Sequence, residues 1–348
     1  MIRRPPRSTL DRSSAASDVY KRQDVIVERE FHTKMVHQGY IEPQTSTGYY
    51  APDGKVTIWT STQGIFPIRT STAAILDIPE SMVNVIPMEI GGGFGGKLPA
   101  YLEPVAALLS EKTGRPVKMF MTRSEVIAAT GPTSGSYVKV KIGVTDAGII
   151  TAAQGYLAFE AGAFPGSPIG GATACMLSPY DIKNLTLDGY DVVDNKPKTT
   201  AYRAPGAPIG ALAVETIMDE IAETLNIDKI DLRLMNAAIE GARRADGVVY
   251  PKIGMIETAE IVKAHEHYTS DLLQVEGKLR GRGIAMGYWR NNTGPAACVA
   301  TVTPDGNVNL AEGSVDVGGS RTAIAQQLSL IHISEPTRPR LISYADFC

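Results

Sequence analysis

Apolar and polar residues alternate with a period of two over several short stretches of this chain. Val56-Thr57-Ile58-Trp59 follows an Asp53-Gly54 turn, and that order predicts a hairpin within 51–59. Residues 136–144 and 149–159 alternate on either side of Asp146-Ala147-Gly148 and predict a second hairpin. Short strands are also expected at 24–30, 82–90 and 117–121, and alternating strands flank the Asp305-Gly306 turn. Helical spacing marks fewer segments. Val214, Ile217, Met218, Ile221 and Leu225 form one apolar stripe and predict a helix over 211–225. Asp228 is placed to cap the next helix, expected to run to 239. Further helices are expected at 69–76, at 256–267, and at 98–112, the last with its start delayed by Pro99 and Pro104 and its end at Gly114. The glycine-, alanine- and proline-rich stretch 162–174 reads as a cavity-lining loop or an irregular connection.

Composition changes the picture at the two ends. Codons for Leu328-Ser329-Leu330-Ile331-His332-Ile333 can be chosen whose reverse complement encodes Asp18-Val19-Tyr20-Lys21-Arg22-Gln23. Such an inverted repeat points to translated library-adaptor sequence at 1–23 and 328–348, expected to be disordered, around an insert of about 24–327. The rival reading of the Arg- and Ser-rich start is an organellar transit peptide. Residues 1–23 hold six basic and two acidic side chains, so without them the chain is more acidic than its formal charge of −3. That balance gives no basic footprint for nucleic acid. No run is apolar and long enough to span a bilayer. Cys175 and Cys298 are isolated; they form neither a disulfide framework nor a Cys-x-x-Cys pair, and a reducing cytoplasm is expected. An iron–sulfur cluster needs more thiolates than these.

Candidate chemistry centres on Gly91-Gly92-Gly93-Phe94-Gly95-Gly96-Lys97, five glycines in six positions and then a lysine. A strand before the run and a helix after it would leave amide N–H groups free for an anion. The spacing fits a dinucleotide fingerprint, but the next strand is followed by Thr122-Arg123-Ser124 with no acidic residue closing it. It nearly fits a phosphate-binding loop, but Leu98 stands where a Mg²⁺-binding Ser or Thr is required. Gln63 ends the strand of the first hairpin, as a polar strand-end residue or a donor to a ligand. Arg203, in Tyr202-Arg203-Ala204-Pro205-Gly206 before a helix, is placed to meet an oxyanion or a core carboxylate. His32, His37 and Glu42 lack a close third ligand beside the histidines, and His265 and His267 point to different sides of a helix.

The Gly-Gly-Gly-Phe-Gly-Gly-Lys run resembles the signature of the molybdopterin-binding large subunit of the xanthine dehydrogenase/aldehyde oxidase family of molybdenum hydroxylases. Tyr-Arg-Ala-Pro-Gly at 202–206 resembles that family's arginine loop, and Tyr40 to Gln44, 113–118 and 228–236 support the likeness. The resemblance implies an α+β fold of two related mixed α/β lobes, the first over 24–245 and the second starting at 246 and truncated at 327. It implies molybdopterin with molybdenum, the pterin alone or as its cytosine dinucleotide. A [2Fe-2S] small subunit and an FAD medium subunit would carry the electrons away from a small-molecule substrate. The cofactor-contacting positions it implies are Gln63, Gly92, Gly93, Phe94, Gly95 and Arg203, with Gly318, Gly319 and Ser320 from a second loop where Gly319 replaces the usual Gln. No side chain ligates the metal directly; Gln63, Phe94 and Arg203 lie near it. The family's general-base Glu is expected beyond the fragment, which alone would be inactive. Purine-oxidising members carry Glu where this chain has Leu98 and an Arg upstream of the arginine loop, whereas no Arg occurs between Arg123 and Arg203. Carbon monoxide dehydrogenases carry a Cys beside the arginine, where Ala204 stands here. An aldehyde or aromatic heterocycle is the expected substrate. The alternatives are a Rossmann-type NAD(P)-dependent dehydrogenase and a non-catalytic scaffold lobe that has lost its cofactor.

Overall fold

A computed structural model of the chain describes residues 23–290, 294–295, 297–305 and 308–318. In chain order the elements are β1 (Val25–Thr33), β2 (Thr45–Tyr50), β3 (Val56–Thr60), α1 (Ile65–Leu76), β4 (Val83–Pro87), α2 (Glu103–Thr113), β5 (Val117–Phe120), α3 (Arg123–Ala129), β6 (Ser136–Val144), β7 (Ile150–Gly162), α4 (Ile169–Cys175), β8 (Asn184–Val193), α5 (Ala207–Leu225), α6 (Lys229–Met235), α7 (Met255–Ala264), α8 (Glu266–Thr269), β9 (Cys298–Val302) and β10 (Val308–Glu312). They fall into two compact units built from interleaved stretches of chain. One takes the residues up to 36 with 134–199 and 204–290, and the other takes 37–133, 200–203 and the residues from 291. The expected start of a second lobe at 246 falls inside the 204–290 stretch. The adaptor-like ends, apart from Gln23, lie outside the described residues, as do Gly319 and Ser320.

The first unit is a four-stranded sheet in the order β1-β6-β7-β8. β6 and β7 form the predicted hairpin, closed by the Gly148 N–H on the Thr145 carbonyl, and β8 joins parallel to β7. Val138, Val140, Ile142, Leu157 and Phe159 of the sheet pack with Val214, Ile217, Met218 and Ile221 of α5, all fully buried. The apolar stripe therefore identifies the buried face of α5. The helix begins at Ala207, four residues before the predicted start, because Pro208 in the first turn gives up no helical hydrogen bond. Asp228 caps α6 by accepting from the Ile230 and Asp231 amides. That helix stops at Met235 and not at 239, because the Asn236 side chain donates to Gly148 and Leu232 carbonyls and accepts from the Ile150 amide. The helix predicted at 256–267 breaks at His265, whose extended backbone ends α7 and whose Nδ1 accepts from the His267 amide to start α8.

The second unit holds a sheet in the order β4-β3-β2-β5 and the separate β9–β10 hairpin. β2 and β3 form the hairpin read from the Asp-Gly turn, and β4 lies parallel to β3 with α1 as the crossover. Val56, Ile58, Ile68, Ala73, Val83, Val85 and Ala107 make its core. α2 begins at Glu103, not 98, and ends on Gly114 at φ 63°. β4 ends at Pro87, so the glycine run sits in irregular backbone well short of any helix. After α2 the chain enters β5, which pairs antiparallel with β2 at the far edge from β4. A dinucleotide fold needs the parallel strand–helix–strand unit that is missing at this loop, and the Rossmann-type alternative falls with it.

Candidate functional site

The glycine loop, Gln63 and Arg203 all belong to the second unit, and its hydrogen bonds join them directly. Gln63 lies three residues after the last paired position of β3, Thr60, and next to Thr62. Its Oε1 accepts from the Gly95 amide at 2.8 Å and the Lys97 amide at 3.2 Å. Its own N–H donates to the Lys97 carbonyl at 3.0 Å, which the Thr62 hydroxyl also meets. With the carbonyl end of the side chain committed, Nε2 remains as a donor with no acceptor among the described residues. The Phe94 carbonyl accepts from the Arg203 amide at 2.9 Å, so the arginine loop hangs directly on the glycine loop.

The glycines serve the protein's own packing as much as any guest. A Cβ on Gly93 would sit 2.5 Å from Gln63 Oε1, and one on Gly95, which holds φ +103°, would sit 2.4 Å from the Ala201 carbonyl oxygen. Gly91 and Gly96 are pressed in the same way against Glu42 and Tyr40. At Gly91, Gly93, Gly95 and Gly96 the space a side chain would fill is therefore taken by the protein itself. The Gly91, Gly95, Gly96 and Lys97 amides already have acceptors, in Glu42, Gln63, the Gly93 carbonyl and Gln63. The Gly92, Gly93 and Phe94 amides have none among the described residues.

Backbone strain collects at the same place. Phe94, Arg203 and Ala204 are non-glycine residues at positive φ, 51°, 20° and 54°, and Gly206 follows at 83°. Phe94 is 42% exposed and Arg203 is exposed, with no carboxylate near its guanidinium among the described residues. Its alternative reading, a core ion pair, is thereby excluded. Three amides, one carboxamide NH₂ and one guanidinium make a set of donors only, which fits an anionic, oxygen-rich group such as a pterin phosphate or a metal oxo group.

Lys97 does not act as a phosphate-binding lysine. Its side chain is 1% exposed, and its Nζ is bound to Glu42 Oε2 and lies 5.2 Å from the Tyr40 ring centroid. Burial pulls its pKa below the ordinary lysine range, Glu42 opposes that shift, and the nearby Arg123 adds to it. The helix-terminus anion seat is also absent. Glu103 in the first turn of α2 is buried and taken by the Thr60 hydroxyl and the Tyr101 amide. His37 is committed to Thr130 and the Gly39 amide, and among the described residues no cluster could hold a metal ion. Gly318 is exposed at φ 102°, with nothing within reach of a Cβ. Glu42, Tyr40 and Gln38, the last donating to the Gly131 and Ala201 carbonyls and the Thr200 hydroxyl, frame the loop without having been singled out as cofactor contacts. The 40–44 likeness marked Tyr40 and Glu42 without their role, since each acts across a long sequence separation.

The chain is 34% identical over 251 residues to the nicotinate dehydrogenase large molybdopterin subunit of Eubacterium barkeri, covering 71% of this chain and 59% of that protein. It is 29% identical to the putative xanthine dehydrogenase molybdenum-binding subunit XdhA of Escherichia coli, covering 93% of this chain and 45% of that one. The chain thus spans about half the length of these relatives. The crystal structure of the aldehyde oxidoreductase from Desulfovibrio desulfuricans shares its fold with a TM-score of 0.76 at 24% identity, over 82% of this chain and 33% of that one. The profile of the molybdopterin cofactor-binding domain matches residues 6–237, two thirds of the chain and all of the glycine and arginine loops, and the chain belongs to that family.

Proposed function

We propose that this chain is the cofactor-binding part of a molybdenum hydroxylase that oxidises an aldehyde or an aromatic nitrogen heterocycle with oxygen derived from water. The observation that carries this is a set of donors without acceptors among the described residues: the 92–94 amides and Gln63 Nε2, beside the arginine loop whose Arg203 amide donates to the Phe94 carbonyl. When bound, the molybdenum cofactor supplies two-electron oxidation of an electron-poor C–H carbon. The chain's own residues bind and orient. The amides of Gly92, Gly93 and Phe94 and the Gln63 carboxamide N–H groups would hold the group's anionic oxygens, and Arg203 would balance negative charge. Phe94 and Leu98 are both exposed and apolar, which suits an uncharged part of a substrate. A nicotinate-oxidising relative favours the heterocycle over the aldehyde. Because the relatives are named as subunits, an iron–sulfur and an FAD subunit are the proposed partners, and the pterin cytosine dinucleotide is the proposed cofactor form. The proposed location is the cytoplasm; none of the described helices is long and apolar enough to cross a membrane.

The test is metal and pterin analysis of the full-length protein purified with its partner subunits from a host that makes the cofactor. We expect stoichiometric molybdenum and pterin. Arg203→Ala should lower the occupancy several-fold while leaving the melting temperature nearly unchanged, since an exposed side chain without protein partners contributes within about 0.5 kcal/mol to stability. Protein free of molybdenum and pterin, or carrying NAD instead, overturns the proposal.

A further inference from the structure

The glycine loop is also held by two charged side chains that the proposed chemistry does not use. Glu42 Oε2 accepts from the Gly91 amide at 2.7 Å and from Lys97 Nζ, so a single carboxylate oxygen joins the first and last residues of the run. The Glu42 N–H donates to the Gly91 carbonyl at 3.2 Å, and Arg123 donates to the Tyr40 and Ile41 carbonyls, fixing the segment that carries Glu42. At the other end of the run, the Lys97 amide and carbonyl are both taken by Gln63.

We propose that Glu42 and Lys97 are positioning residues, a two-ended tie that holds the Gly92, Gly93 and Phe94 amides in the arrangement a cofactor meets. The inference rests on reading that loop as the cofactor seat. Its physical basis is independent of the reading. Five glycines in six positions have more backbone freedom to lose on ordering than any other sequence of that length. A tie across the ends removes much of that freedom before a guest arrives, which is preorganisation. An apolar contact would pack as well, but it would not set the register of the loop against the Gly91 amide, whereas a hydrogen-bonded ion pair does. The charged and titratable groups facing Lys97 are Glu42, Arg123 and Tyr40; the Lys97 and Tyr40 side chains are buried, Glu42 is partly exposed and Arg123 is exposed.

The experiment is amide hydrogen exchange by mass spectrometry on peptides covering 88–98, in the full chain with and without cofactor. Glu42→Gln strands the buried Lys97 ammonium and Lys97→Met strands the partly exposed Glu42 carboxylate, so both are expected to lower the melting temperature, the first by more. The double variant, with no charge left unpaired, is expected to regain most of the melting temperature. If the pair is a tie, 91–97 in the double variant still exchanges about tenfold faster than wild type or more. Double-variant exchange as slow as wild type would show a packing role only and overturn the proposal. Should the double variant fail to fold, the near-isosteric Glu42→Gln decides alone. Folded by circular dichroism and fast at 95–97, it supports the tie; folded and slow, it sinks it. Exchange in cofactor-free chain tests the tie, and molybdenum content tests the seat, so one can fail without the other.

Discussion

At the scale of single residues, the site is decided by which atoms are already spoken for. Gln63 was legible as a polar strand-end residue, yet nothing local shows that its Oε1 is spent on the Gly95 and Lys97 amides while its Nε2 has no acceptor among the described residues. Lys97 was legible as the last letter of a near phosphate-loop pattern, and its burial against Glu42 removes that role. Gly95 gives the sharpest test. Gly95→Ala places a methyl 2.4 Å from the Ala201 carbonyl oxygen on a backbone at φ +103°. Strain at such a residue costs about 1–3 kcal/mol, and the clash adds to it. We expect a lower melting temperature and separation of the Phe94–Arg203 bond, read by thermal denaturation and by faster exchange of the Arg203 amide.

Elements were read well where their signals are local and less well at their ends. Both hairpins follow from a turn sequence beside alternating residues, and α5 follows from a stripe that can be buried only one way. Ends moved where a distant group intervened, as Asn236 does at the end of α6. The Asp228 cap carries a pH prediction. Burial alone would raise its pKa, but the Tyr268 hydroxyl and the Asp231 and Ile230 amides outweigh burial and hold it below the ordinary aspartate value. A depressed folded-state pKa means that the carboxylate's contribution is present above the ordinary aspartate range and is lost as pH falls through the folded value. We therefore expect wild type to lose the cap's contribution, about 1 kcal/mol, on acidification below pH ~4. Asp228→Asn, which caps without titrating, should show a smaller acid loss in paired denaturant melts.

Over the whole molecule, the main fact is that each unit is assembled from stretches far apart in the chain. Within the first unit, one buried knot ties such stretches together. Arg233, 1% exposed, donates to Glu215 at 2.8 Å and pairs with Asp219 at 2.8 Å, and Glu215 also accepts from the Tyr180 hydroxyl and the Met286 amide. Burial and the neighbouring carboxylate drive the Tyr180 pKa well up, so the phenol stays protonated as the donor. Arg233→Met leaves Glu215 buried and unpaired, and breaking such a pair costs about 3–5 kcal/mol. The expected outcome is a drop of several degrees or more in melting temperature, or failure to accumulate folded protein. A melting temperature equal to wild type would show that the knot does not hold the unit together.

By itself the sequence determined the things that short-range physics controls: alternation at a turn, a helical stripe, a cap, and a run of glycines that no ordinary turn needs. The resemblance carried by two motifs pointed to the molybdopterin-binding family, and a family profile over both motifs agrees. What only the tertiary structure decided is which donors remain free and what holds them. The loop lies some thirty residues from Gln63, about fifty from Glu42 and more than a hundred from Arg203, and no periodicity links positions that far apart. Their meeting depends on a parallel β3–β4 pairing and on residues 200–203 returning to the second unit, and both are properties of the folded chain alone.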